Sequence, residues 1–362
     1  TIYANDNDPK KHQMYLAQFP ASAGVLDPRS VFDVRAADVG PVTLATASFP
    51  CNDLSLAGAR TGLAGPQSSA FWGFLHVVRD MTPRPPLVLL ENVPGLLSSH
   101  GGRDLETILG SLNGLGYAVD VFTIDARCFV PQSRRRLFVV AKRETLAPEG
   151  APPLLVADAT RPADVARFVG SHPNIRWSIV TLPPLPARRH QLETVLDDPP
   201  EESVSWWSEA RTRYLLAQMS ERHAQQIEAA RTSKQMTYFT AFRRVRRGQT
   251  MAEIRNDGLA GCLRTPRGGS GRQILVRVGR GAVRARLLSA RECARLMGAD
   301  DYAIEVPLNQ ALFGFGDAVC VPAVTWIAEN YLNEWMTHGI HQGPAASVTP
   351  AHTVLAGEAA AG

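Results

Sequence analysis

No CxxC pair, and no cysteine–histidine spacing suited to a metal, occurs among the five cysteines Cys51, Cys128, Cys262, Cys293 and Cys320. Their odd number and wide scatter argue against a disulfide framework or a zinc site and point to a reducing cytoplasm. No apolar run approaches the length that spans a bilayer, and no segment has the layout of a secretory leader, so no membrane partner is expected. Extreme charge is lacking too. Charged residues make up 20% and the formal net charge is +4. That excludes wholesale disorder and a basic tail, and permits one basic face and a nucleic-acid partner. What is present is a chain of 362 residues, 45% hydrophobic, enough for a full core with room for a second, smaller one. No internal repeat is visible.

From Thr1 to about Glu144, short apolar runs alternate with amphipathic stretches. Val42–Phe49, Leu87–Leu90 and Leu137–Ala141 read as buried strands of a sheet covered on both faces. Ser69–Met81 and Asp104–Leu115 have helical periodicity, the second closed by Gly116. This alternation argues for a doubly wound α/β domain, in which ligands sit at the carboxyl ends of the strands. From Ala147 to about Pro200 proline and arginine dominate and periodicity fades, as in a boundary followed by a loop-rich domain. A helix is expected over Tyr214–Arg231. Arg243–Arg286 is basic and glycine-rich. Ser289–Met297 reads as a helix opened by a Ser289–Glu292 capping box, and Pro322–Trp335 as a last amphipathic helix. Beyond Met336 the composition is that of a disordered tail.

Three short stretches carry chemistry. Phe49-Pro50-Cys51-Asn52 sets a cysteine just past a strand, in a loop stiffened by Pro50, although a strand-end cysteine is more often structural. Leu87-Val-Leu-Leu-Glu91-Asn92 ends a buried strand in a carboxylate, which costs free energy unless it is paired or employed; a capping or salt-bridged glutamate is the plain alternative. Val130-Pro131-Gln132-Ser133-Arg134-Arg135-Arg136 enters a third strand. Alternation puts Gln132, Arg134 and Arg136 on one face and Arg135 on the other. Alone, an arginine triplet is usually a solvated patch.

Together and in this order, the three resemble the Pro-Cys, Glu-Asn-Val and Gln-x-Arg-x-Arg motifs of the cytosine-5 DNA methyltransferases. Arg286–Gly298 resembles the stretch that follows that family's target-recognition region, and Gln310–Val319 its last motif. The resemblance covers roughly residues 1 to 335, loosely between 150 and 260. It implies a Rossmann-like methyltransferase sheet with a second, smaller target-recognition domain. The catalytic domain would take residues 1–146 and 286–336, the recognition domain 147–285, and the tail 337–362.

The resemblance also implies a mechanism. Carbon 5 of cytosine is too weak a nucleophile to take a methyl group directly. Cys51, as a thiolate, would add to carbon 6 and activate it. Glu91 would protonate or hydrogen-bond N3, a task suited to a carboxyl of raised pKa. Arg136 would hold the ring O2, Arg134 would support the cysteine loop and the adduct, and Asn92 would orient that loop. The target cytosine must leave the duplex.

S-adenosylmethionine is the implied cofactor. Tyr3–Pro9 resembles the motif whose acid binds the ribose, implying Asp6. Phe32-Asp33-Val34-Arg35 resembles the adenine-contacting segment, implying Asp33 and Val34, and Pro50 and Asp317 complete the set. As turn residues, both Asp6 and Asp33 also have a bland reading. The family's first motif, a strand with a Phe- and Gly-rich turn ahead of Tyr3, is missing. The expectation is therefore a truncated chain, or a second chain that supplies that strand. A further departure is Asp317, where the last motif commonly has Asn.

Arg243–Arg286 holds many arginines opposed only by Glu253 and Asp257. Glycines there bring backbone amides near phosphates, and arginines read guanine. Arg267, Arg272, Gln273 and Ser55 are the expected contacts to double-stranded DNA, with Arg264 structural and Trp206 and Trp207 in the core. The expected setting is the nucleoid-associated cytoplasm of a bacterium. A cognate restriction endonuclease would act in the same system without a stable complex. Two other readings are a catalytically dead DNA-binding remnant and a related tRNA cytosine methyltransferase.

Overall fold

The computed structural model describes residues 1–49, 70–143, 154–188, 190–197, 199, 203, 205–246, 248–265, 271–333 and 335. Two short parallel strands, β1 (Ala4–Asn5) and β2 (Leu26–Asp27), flank helix α1 (Pro9–Gln18). Asp8 starts α1 by accepting the Lys10 N–H, with Pro9 pre-set for the first turn. A short helix α2 (Ala36–Val39) follows.

The central sheet contains β3 (Leu44–Ser48), β4 (Leu87–Asn92), β5 (Tyr117–Asp125) and β6 (Arg135–Arg143), in the order β3-β4-β6-β5. β3 and β4 run parallel, whereas β6 is antiparallel to both of its neighbours. The helices α3 (Ala70–Asp80) and α4 (Arg103–Gly114) connect these strands. Gly116, at φ 92°, turns the chain after α4. One sheet face, with Val88, Leu90, Val119, Val121 and Val139, packs on α3, α4 and a helix from the proline-rich stretch, α5 (Ala163–Ser171). The other face, with Leu87, Leu89, Phe122, Phe138 and Val140, packs on the C-terminal helices. Both faces are covered, which is why β4 and β6 read as unbroken apolar runs. β3 differs from the expectation of a buried strand: it is half exposed along its length. Among the described residues it is hydrogen-bonded to one strand only, β4.

A second, separate sheet is antiparallel throughout: β7 (Thr237–Arg246), β8 (Gln249–Arg255), β9 (Ile274–Gly279) and β10 (Ala282–Leu287), ordered β10-β9-β7-β8. With α6 (Glu209–Leu216) and α7 (Glu221–Arg231) it builds its own core around Trp207, Leu215, Met219, Ile227 and Val276. The single helix expected over Tyr214–Arg231 is therefore two. The chain breaks where the Ser220 hydroxyl accepts the His223 N–H and Met219 turns into the core. Trp206 and Trp207 are buried, as expected.

The chain returns through α8 (Ala290–Arg295), opened by the expected Ser289–Glu292 capping box. α9 (Leu308–Asp317) and α10 (Val321–Ile327) follow, extended by a π-helical turn, Ala328–Leu332. Contrary to the expectation of no membrane-length run, Leu308–Leu332 is long and apolar enough to cross a bilayer by length and composition. Its apolar residues Ala311, Leu312, Phe315, Ala323, Trp326 and Ile327 instead belong to the main core, which accounts for its composition.

Candidate active site

Register dictates what meets at one edge of the central sheet. Ser48 lies opposite Glu91, Asn92 opposite Leu137, Ile124 opposite Arg136, and Asp125 opposite Arg135. Because β6 runs backwards, its first residues sit beside the last residues of β4 and β5, with the end of β3 one strand further on. The edge at which strands of this kind bind ligands thus receives the two polar motifs together.

Arg136 and Glu91 form an ion pair there, Nε to Oε1 at 2.9 Å, with the side chains 14% and 13% exposed. Asn92 is buried and donates from Nδ2 to the Phe49 carbonyl at 3.2 Å, while its Oδ1 accepts the Val93 N–H at 2.9 Å. Phe49 packs on Phe71, ring centroids 5.5 Å apart. The backbone entering the Pro50-Cys51 loop is therefore tied to β4 and α3. Pro50, Cys51, Ser55 and Arg267 lie outside the described residues.

Arg134 is only 2% exposed. Its guanidinium donates to the carbonyls of Leu263 at 2.9 Å, Gly316 at 3.0 Å and Ala318 at 2.5 Å. Gln132, on the same face, donates to the Leu296 carbonyl at 2.6 Å and accepts the Leu263 N–H at 3.0 Å. The two residues join the sheet edge to the segments around 263, 296 and 317, so the distant motifs converge. Gly316 permits this, since a β-carbon there would lie 2.6 Å from backbone atoms of Arg264 and Thr265. Arg135 faces the other way and pairs with Asp164 at 3.0 Å.

Two residues of this edge were not foreseen. Cys262 lies within 3.4 Å of Arg134 Nη1 and 3.8 Å of both terminal nitrogens of Arg136. Burial raises its thiol pKa, but the charges of Arg134 and Arg136 outweigh that and hold it below the usual range. Its one sequence signal is its place directly before Leu263-Arg264-Thr265. Asp125 accepts the Arg134 backbone N–H at 2.9 Å and the Arg127 N–H at 3.1 Å, fixing the turn between β5 and β6.

On the proposed cofactor side, Asp6 follows β1 and its Oδ1 accepts the Asp8 N–H at 2.9 Å. Asp6 and Asp317 share one cation: Lys11 Nζ lies 3.5 Å from Asp6 Oδ2 and 3.1 Å from Asp317 Oδ2. Asp33 is exposed beside the exposed ring of Phe32, whereas Val34 is buried. Asn5 reaches from β1 to the carbonyls of Asp27 and Arg29, at 3.0 and 2.8 Å, so the loop bearing Asp33 starts against the end of β1.

In the basic stretch, Arg244 and Arg246 engage Glu253 and Arg255 engages Asp257. Arg277, Arg284 and Arg286 surround the Trp206 ring, and Arg211 lies 4.0 Å over Trp207. Arg272 hydrogen-bonds Asn309, Gln273 is buried against Gly261, and Arg264 is exposed.

A family model for C-5 cytosine-specific DNA methylases matches residues 1–333. The type II methyltransferase M2.BsuMI of Bacillus subtilis is 33% identical over 137 residues, which are 37% of this chain and 34% of that protein. The type II methyltransferase M.MspI of Moraxella sp is 31% identical over 142 residues, 39% of this chain and 32% of that protein. These matches thus span about a third of each relative's length. Among solved structures, the Dnmt2 methyltransferase of S. pombe superposes with a TM-score of 0.57 at 17% identity, covering 90% of this chain and 88% of that one. The Entamoeba histolytica methyltransferase EhMeth gives 0.57 at 12%, covering 92% and 89%. These two likenesses concern the fold.

Proposed function

The chain belongs to the C-5 cytosine-specific DNA methylases, and on that premise we propose that it methylates carbon 5 of a cytosine flipped out of duplex DNA, with Cys51 as nucleophile. The observation that carries this reading is the Glu91–Arg136 pair at the sheet edge, beside Phe49, which Asn92 holds two residues ahead of Cys51.

The residues present fit S-adenosylmethionine. A purine ribonucleoside needs an acid for its ribose hydroxyls and an apolar face for its base. Asp6 at the end of β1, and exposed Phe32 with Asp33 on the adjoining loop, offer both. Val34, Pro50 and Asp317 would complete the contacts. When bound, the cofactor supplies an electrophilic methyl group.

The chain's own groups do the rest. The Cys51 thiolate forms a bond to carbon 6 of the ring, and the displaced electron pair makes carbon 5 nucleophilic. Glu91, held through Oε1 by Arg136, gives a proton or hydrogen bond to N3 as charge develops there. Arg136 serves the ring O2, and buried Arg134 fixes the surrounding backbone. After methylation a base removes the carbon 5 proton, and the carbon–sulfur bond breaks to release Cys51. The β7–β10 sheet forms the core of the target-recognition domain, the family's Rossmann-like sheet corresponds to β3–β6, and Arg267, Arg272, Gln273 and Ser55 serve the DNA side. A strand carrying the family's first motif, from this polypeptide or a second chain, fits the reading, because β1 and β3 each pair with one strand among the described residues. The setting is the modification arm of a bacterial restriction or phage-defence system, in the nucleoid-bearing cytoplasm.

The test is transfer of labelled methyl from S-adenosylmethionine to duplex DNA, with bisulfite sequencing to locate the product. Transfer to cytosine that disappears in Cys51→Ala is expected. DNA binding without any transfer would sink the enzyme reading in favour of a DNA-binding remnant.

A further inference from the structure

We propose that Lys11 is a positioning residue that ties Asp6, the acid assigned to the cofactor ribose, to the turn Gly316–Ala318, so that the cofactor side and the base side hang on one bracket. The proposal rests on the cofactor reading above and deepens it.

Three observations build the bracket. Lys11 Nζ lies within 3.5 Å of Asp6 and 3.1 Å of Asp317, a chain separation that no local helix rule produces. Asp317 sits between Gly316 and Ala318, and both of their carbonyls accept hydrogen bonds from Arg134. The helix carrying Lys11 is seated on the helix carrying Asp317. A β-carbon at Gly314 would clash with Met14, and Gln310 donates to the Lys10 carbonyl at 2.9 Å. From the base side outward the connection therefore runs Arg134, Gly316–Ala318, Asp317, Lys11, Asp6. A lysine suits the link because its ammonium is a point charge that serves two carboxylates at once.

Lys11, Asp6 and Asp317 are 37%, 38% and 46% exposed, so the pairs contribute little to global stability. Their role is to hold Asp6 in one place. Lys11→Met should then weaken binding of S-adenosylhomocysteine by about three- to fivefold, read by titration calorimetry on the whole chain, with an unchanged melting temperature. Lys11→Arg should bind as the unchanged chain does. Equal affinity of Lys11→Met and the unchanged chain overturns the proposal while leaving the cofactor reading intact. So does a loss that merely follows a lowered melting temperature. An unchanged chain that binds no S-adenosylhomocysteine overturns the cofactor reading itself, and the bracket with it.

Discussion

The edge bearing Glu91 and Arg136 and the cluster of Asp6, Lys11 and Asp317 are both held by opposite charges, but at different depths. The first pair is 13–14% exposed, while the second cluster is 37–46% exposed. At the first, charge is shielded from water, both partners are fixed by strand register, and Arg136 also reaches Cys262. At the second, salt and water screen the interaction, and the geometry depends on two helices staying seated together. The protein thus fixes Glu91 and Arg136 in a shielded edge and leaves Asp6, held by Lys11, on a more open, screened surface.

The largest expected effect tests the buried side. Glu91→Gln keeps shape and removes the carboxyl assigned above to N3, so on that proposal kcat for methyl transfer should fall by about a hundred- to ten-thousandfold. Affinity for S-adenosylhomocysteine should stay unchanged. A loss of less than about tenfold would mean that the pair is structural. Next comes the brace behind this edge. Arg286 and Glu292 are 3% and 0% exposed and pair at 2.5 Å, and Glu292 also caps α8, the helix whose end receives Gln132. Arg286→Met strands a buried carboxylate and should cost about 3–5 kcal/mol in urea unfolding. A smaller effect is expected at Gly316→Ala, where the new β-carbon meets backbone at 2.6 Å. It should cost about 1–3 kcal/mol and lower kcat, because the same backbone holds Arg134.

How much of this was legible in sequence follows from how local each feature is. β4 and β6 announce themselves as apolar runs, and their motif residues Glu91 and Arg136 do meet. β5 is not legible as an apolar strand, because Asp120 and Thr123 interrupt it. Both are buried, and Asp120 is compensated by Arg161, bonded at 2.8–2.9 Å from 41 residues away. α9 has a weak helical signal because of Gly314 and Gly316, yet both are needed for close packing on Met14 and on the Arg264–Thr265 backbone. Cys262 reaches Arg136 across 126 residues, and only the fold reveals it. Compensation by distant partners is what the local pattern does not contain.

The smallest expected effect separates the two regions by pH. Arg29 sits between Asp27 and Asp38, its Nη2 at 2.6 and 2.9 Å. Hydrogen bonds from Arg29 hold the Asp27 carboxyl well below the usual range, and those from Arg35, then Arg29, bring Asp38 down to about 2. For an acid whose pKa is depressed by folding, the stabilisation is complete above its unfolded value, about 3.9, and is lost as pH falls through the folded value. Arg29→Met should therefore speed amide exchange at Ala4 and Asp6, which donate to Val25 and Asp27 across the β1–β2 pair, at neutral pH. The difference from the unchanged chain should shrink below about pH 4, fall further near about 2, where Asp38 titrates, and disappear only in stronger acid, where Asp27 takes up its proton. Amides of β4 should show no such dependence, since their strand is covered on both faces. If acid loosened β4 before β1, the contrast between a fixed base side and a screened cofactor side would be inverted.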